Sequence, residues 1–444
     1  MATRRTLVRP LLAAVLAAVL ALGGLLATGA RTPAAAAPTI TPDRVFTPFI
    51  QDTIRDGRLA SPDELLPTLP RDDPFYRPPE DLDPHTPHGT LLRARPVQIQ
   101  YLAVQPAHIR AWQLLFVSTD LDGRARPVSG LLMIPDTAPA DGPRSLVGYV
   151  EANDSLADGC NPSFQWTGGD QIDPALASAM GPVAQMFSDG HAVMMSDYVN
   201  DGEPGPHPFS VSSLSGPSVL DGLTAAMQIE EARLAPDIPI GLFGIAGGGV
   251  AAGAAAERAA EYAPHLNIRG TVLQAMVVDP ASFERTADGG IGAGFVFANA
   301  LGYAAGYPED IDLDAELTPA GKALADVFHR SCQAVYLGTP FVPLGALFVN
   351  GRPADNPAFR RAYEENRLGQ GIPNAPVLIS SCRDDFLVPY RDAENLGNYY
   401  RSGGTDVTFE PSGCSLGDVL SDPYKAGTEL FGMQTVPWLT EKLR

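Results

Sequence analysis

Positive charge is the first thing this sequence is short of. It holds 31 Lys and Arg against 51 Asp and Glu, a formal net charge of −20. A surface so acidic repels polyphosphates and anionic lipid headgroups, so neither nucleic acid nor an anionic membrane surface is expected as a partner. A solvated acidic coat that keeps the chain soluble is the reading that fits. Cysteine is also scarce, with four residues whose spacing matches neither a zinc ribbon nor a CxxC redox site. Past the N-terminal region no apolar run is long enough to span a bilayer, and no tandem repeat occurs. Metal-ligand spacing is missing too. Asp201, Glu203 and His207 share a Gly/Pro-rich loop but follow no ligand pattern and read as surface charge. No metal and no cofactor are expected.

The N-terminus carries an export pattern. Arg4, Arg5 and Arg9 precede an uncharged apolar run over 11–27, followed by the small-residue tract 34–37. The run is short for a span and is broken by Gly23 and Gly24, so a cleaved signal peptide over 1–37 is expected rather than a retained anchor. Residues 3–9 also resemble a twin-arginine signal, which leaves the export route open. Cleavage removes four arginines and no acidic residue, taking the net charge to −24. Four cysteines in an exported chain imply two disulfides, with three possible pairings of Cys160, Cys332, Cys382 and Cys414.

Residues from the signal to about 96 are rich in Pro, Asp and Arg with little periodicity, and read as an extended arm over the body. Strands are expected at 113–118, 128–134, 146–150, 191–195, 238–243, 270–275, 376–381 and 406–410. Helices are expected at 218–234, 250–262 and 435–443. Strand–helix alternation predicts an α/β fold with a mainly parallel sheet flanked by helices. The alternation stops over 281–371, which reads as a helical cap inserted into an α/β core formed by 38–280, arm included, and 372–444. The cap residues Phe295, Val296 and Phe297 can line an acyl-chain cleft or pack cap against core.

Between the strand at 238–243 and the helix at 250–262 lies Gly244-Ile245-Ala246-Gly247-Gly248. A Gly-x-X-x-Gly turn from strand to helix is the setting of a nucleophile elbow. Its glycines permit the tight bend, and its central side chain projects above the sheet. The helix N-terminus behind it offers N–H groups to an oxyanion. Here the central residue is alanine, which has no nucleophilic atom. A second match, Gly413-Cys414-Ser415-Leu416-Gly417, follows the last core strand, contains a half-cystine and has no histidine after it, so Ser415 is not read as a nucleophile.

The chain resembles the secretory lipase family of the α/β-hydrolase superfamily over nearly all of its length after the signal. The resemblance rests on Asp73-Pro74-Phe75-Tyr76, Gly89-Thr90-Leu91-Leu92-Arg93, Tyr149-Val150-Glu151-Ala152-Asn153-Asp154-Ser155, Cys160-Asn161-Pro162-Ser163, Asp197-Tyr198 and Val219-Leu220-Asp221-Gly222. After the elbow it continues with Tyr262-Ala263-Pro264-His265-Leu266-Asn267-Ile268, Gly306-Tyr307-Pro308, Leu317-Thr318-Pro319-Ala320-Gly321 and Asn366-Arg367-Leu368-Gly369. The resemblance implies position 246 as the nucleophile, Asp385 as the acid and position 415 as the histidine. It also implies Asp154 and the Gly247 N–H as oxyanion donors, and the bridges Cys160–Cys332 and Cys382–Cys414.

Two of the three triad positions therefore hold the wrong residue. The seven histidines are His85, His88, His108, His191, His207, His265 and His329, and none follows Asp385. In this superfamily the order along the chain is nucleophile, acid, histidine, so no general base arises at the usual place. The expectation is a secreted lipase-like protein without a working Ser-His-Asp triad, binding a hydrophobic acyl ligand or a protein partner whose identity stays open. Two alternatives are a lipase or esterase using weak or non-standard catalysis on acyl esters, and an interaction protein with a closed cleft.

Overall fold

The computed structural model describes residues 47–140, 142–152, 156–198, 205–421 and 430–444. The signal region 1–37 lies outside them, as do Asp154, Asp201 and Glu203. Among the described residues nine strands form the main sheet: β1 Leu91–Val97, β2 Ile109–Thr119, β3 Ala125–Pro135, β4 Leu146–Val150, β5 Ala192–Ser196, β6 Ile240–Ile245, β7 Ile268–Gln274, β8 Val377–Cys382 and β9 Val407–Ser412. Their spatial order is β9-β8-β7-β6-β4-β5-β3-β2-β1. From β9 to β5 all neighbours are parallel, and β3, β2 and β1 add an antiparallel edge.

Central strands are buried throughout, as a parallel sheet covered on both faces requires. Side-chain alternation then divides them between two cores. In β4, Leu146 and Val150 enter one apolar cluster, and Val147 and Tyr149 enter the other. Ile240 and Leu242 of β6 share the first cluster, with Phe243 and Ile245 in the second. Helices α3 Ser212–Ala226 and α4 Gly247–Tyr262 cover the first face, and α2 Pro174–Ser188 and α10 Val436–Lys442 the second. Residues 280–366 contribute α5 Pro280–Ala287, α6 Ala293–Gly306, α7 Pro319–Phe328 and α8 Pro357–Asn366, all packed into the first cluster, before α9 Tyr390–Ser402 resumes the alternation.

The arm holds more structure than its composition suggests. Helix α1 Pro48–Asp56 starts with Pro48 after a Thr47 side-chain cap. It buries one residue, Phe49, against Phe187 at 4.8 Å between ring centroids, an anchor too small to leave a sequence period. β1 includes Pro96 and two arginines, which an edge strand paired on one side tolerates. Arg95 ties the arm to this edge, ion-paired to Asp73 and stacked 4.3 Å over Phe75.

Helix α3 begins six residues before the expected start at 218 and stops eight before the expected end. Pro217 reads as a breaker in sequence, yet it sits inside the helix. The first turn is held from outside, by Asn366 Oδ1 accepting from Ser213 N at 2.9 Å. A cap supplied from 153 residues away leaves no local sequence trace. Helix α2 follows an Asp173 cap and Pro174, but its Ala-rich body has no polar face and so no stripe to detect.

Candidate functional site

The strand–turn–helix geometry of an elbow is present at position 246, where the residue is alanine. β6 ends at Ile245 and α4 starts at Gly247, so Ala246 alone makes the turn, at φ 50° and ψ −119°. A residue with a Cβ is strained there. Ala246 N donates to Gln274 O of β7 at 2.9 Å, and Ala246 O accepts from Gly249 N at 3.0 Å. The flanking glycines are imposed by contact. A Cβ on Gly248 would stand 2.2 Å from Val150 O, and one on Gly244 would stand 2.5 Å from the Ala252 Cβ.

Ala246 and Gly247 open onto a cavity of about 500 Å³ with almost entirely apolar walls. Asp385, in the loop after β8, lines the same cavity, with Cys414, Phe295 and Leu387. Strand ends β6 and β8 thus place positions 246 and 385 together at the carboxyl edge of the sheet, where α/β folds form their clefts. The space over Ala246 is open, not collapsed. Phe295 faces it, whereas Phe297 packs 5.3 Å from Phe328 and 5.9 Å from Phe348 in the core.

Asp385 is held by backbone. Its Oδ1 accepts from Leu387 N at 2.8 Å and Val388 N at 3.1 Å. Burial raises its pKa, and the two N–H bonds oppose the rise. Ser415 is turned elsewhere. Its hydroxyl donates to Asp418 at 2.6 Å and accepts from Asp418 N at 3.2 Å, capping the short helix Leu416–Ser421. Both disulfides have the pairing that the family resemblance implies. Cys160–Cys332 joins the loop after β4 to the helical block, and Cys382–Cys414 joins the end of β8 to the segment carrying Ser415.

A family model described as secretory lipase matches residues 176–430. The chain belongs to the secretory lipase family. Among its relatives is a Mycobacterium tuberculosis protein named a probable inactive lipase, 28% identical over 85% of this chain and 83% of the relative. Another is a secreted triacylglycerol lipase of Malassezia globosa, 28% identical over 79% of this chain and 76% of the relative. Candida antarctica lipase A in its closed state superposes with a TM-score of 0.69 at 22% identity, covering 85% of this chain and 95% of that one. The Xanthomonas oryzae esterase LipA superposes at 0.62 and 19% identity, covering 81% of this chain and all of that one. These likenesses establish the α/β-hydrolase fold.

This secretory lipase chain also buries carboxyls that sequence reasoning passed over. Glu151, next to the elbow glycine Gly248, is 1% exposed and accepts from Trp166 Nε1 at 3.2 Å. Burial, reinforced by Asp173 and Asp197, pushes its pKa up to about 8 against that bond. Asp197 Oδ1 accepts from Ser163 N at 2.7 Å, and Ser129 donates to its Oδ2 at 2.6 Å, with burial raising its pKa to about 6. Both lie in segments that carry the family resemblance, but nothing local marks them as buried. His207 departs from the surface position expected of its Gly/Pro-rich loop. It is 6% exposed instead of a surface-loop group, and burial lowers its pKa to about 3. Asp170, Asp173 and Cys332 approach within 4.8 Å of one another, but Cys332 is committed to its disulfide.

Proposed function

We propose that this protein is an exported lipase-like binding protein that does not act as a Ser-His-Asp hydrolase and holds an acyl or other hydrophobic ligand in its cleft. The observation that carries the reading is alanine at the strained elbow position, facing an open apolar cavity, in a chain with no histidine after Asp385. Losing one triad member costs several orders of magnitude in turnover, and two of the three positions are changed. The M. tuberculosis relative, similar over most of both chains, carries an inactive-lipase name that agrees. Export agrees with the N-terminal pattern and with relatives named as secreted lipases. The open cavity over Ala246 speaks against an interaction protein with a closed cleft.

The test is a fluorophosphonate probe with ester turnover measured in parallel on purified protein. Neither labelling nor turnover above background is expected. Stoichiometric labelling of any serine would overturn the reading and favour an esterase with non-standard catalysis.

A further inference from the structure

Losing the histidine changes what the cleft can recognise. In a triad the imidazole sits against the acid and its cation offsets the carboxylate during turnover. Here Asp385 keeps its place in the cavity wall without that partner. Among the described residues lining the cavity there is no lysine, arginine, histidine or second carboxylate. Both hydrogen bonds that hold Asp385 fall on Oδ1, which leaves Oδ2 for a ligand. An ionised carboxylate facing apolar walls is costly unless something donates to it or carries the opposite charge.

The start of α4 acts in the other direction, since a helix N-terminus attracts anions and carbonyl oxygens. Its strength is about half an elementary charge, against the full charge of a carboxylate. The net charge of −20 adds a long-range field that gathers cations and repels anions. A fatty-acid carboxylate is therefore the poorly matched head group, and a donor head is the matched one.

We propose that the cleft selects single-chain amphiphiles with a hydrogen-bond-donating, cationic head, of the long-chain primary amine class, with the ammonium on Asp385 and the chain along the apolar wall. This rests on the reading of the cleft as an apolar-ligand site. A cavity of about 500 Å³ is within the usual range for small-molecule pockets.

The test uses three probes of one chain length, dodecylamine, dodecanol and dodecanoate, each below its micelle concentration or solubility limit at pH 7, titrated calorimetrically into wild type and Asp385→Asn. Asparagine keeps an oxygen for the Leu387 and Val388 N–H groups, and an unchanged circular dichroism spectrum confirms its fold. Dodecylamine should bind wild type about tenfold or more tighter than dodecanol, with dodecanoate weakest. Asp385→Asn should remove the amine advantage and change dodecanol binding by less than about threefold. Dodecanoate binding as tightly as the amine, or an amine preference that survives Asp385→Asn, overturns the proposal while leaving the cleft an apolar-ligand site. Failure of all three probes to bind wild type overturns that underlying reading as well.

Discussion

Replacing Ala246 by glycine should stabilise this protein. The chain passes from β6 to α4 through one residue at φ 50° and ψ −119°, a region that only glycine occupies without strain. Strain of this kind costs about 1–3 kcal/mol, and in a serine hydrolase it serves to present the nucleophile. With alanine there the strain has no chemistry to serve. Against its relief stand the larger unfolded-state entropy of glycine, about 0.5–1 kcal/mol, and loss of a half-buried methyl, about 0.4 kcal/mol. The net expectation is a gain of about 1 kcal/mol, or about 1 °C in Tm for a chain near 400 residues. Urea denaturation monitored by fluorescence resolves such a gain as a shift in midpoint at constant m. The reverse exchange two residues on makes the control. Gly248→Ala would drive a Cβ to 2.2 Å from Val150 O and 2.3 Å from Glu151 O and should cost about 3 kcal/mol or more. If Ala246→Gly lowers stability by more than about 1 kcal/mol, methyl packing outweighs strain and the turn at position 246 is not a strained one.

The pair Ala246→Ser with Ser415→His should restore ester turnover by about 10²–10⁴-fold over Ala246→Ser alone, read with short and long p-nitrophenyl esters, because elbow, helix N-terminus and Asp385 are in place. Equal rates for the two variants would show that changes beyond the triad disable the cleft. Glu151 gives a pH signature. Its folded pKa is raised to about 8, so the folded state holds a proton the unfolded state releases, and stability falls as pH rises from about 4.5 to about 8. Glu151→Gln should lessen this fall by at most about 1.4 kcal/mol per pH unit, most clearly between about pH 6 and 8, above the raised pKa of Asp197, and a slope equal to wild type there would refute the assignment. Replacing both cysteines of the 172-residue loop by alanine should cost about 5 kcal/mol, against about 4 kcal/mol for the 32-residue loop. Denaturant midpoints measure both, and the reverse ranking would show that the loop-entropy account does not hold here.

Much of this protein is determined by sequence alone, and the reason is that those features are local or are counts. The elbow is a run of adjacent residues, and Ala246 within it is read directly. The missing histidine is an absence from the stretch that follows Asp385, read by inspection of the sequence. Strand–helix alternation survives because each buried strand is a short apolar run and each turn has its own Gly or Pro. The tertiary structure decided what depends on residues far apart. It chose one cysteine pairing among three and capped α3 with Asn366. It sent Phe297 into the core while leaving Phe295 on the cavity, and it buried His207 and Glu151. It also turned Ser415 toward Asp418, leaving Asp385 with backbone partners only. Each of these is set by which side chain reaches which neighbour across the folded chain, and a hydrogen bond or a packed ring leaves no period and no motif at either of its ends.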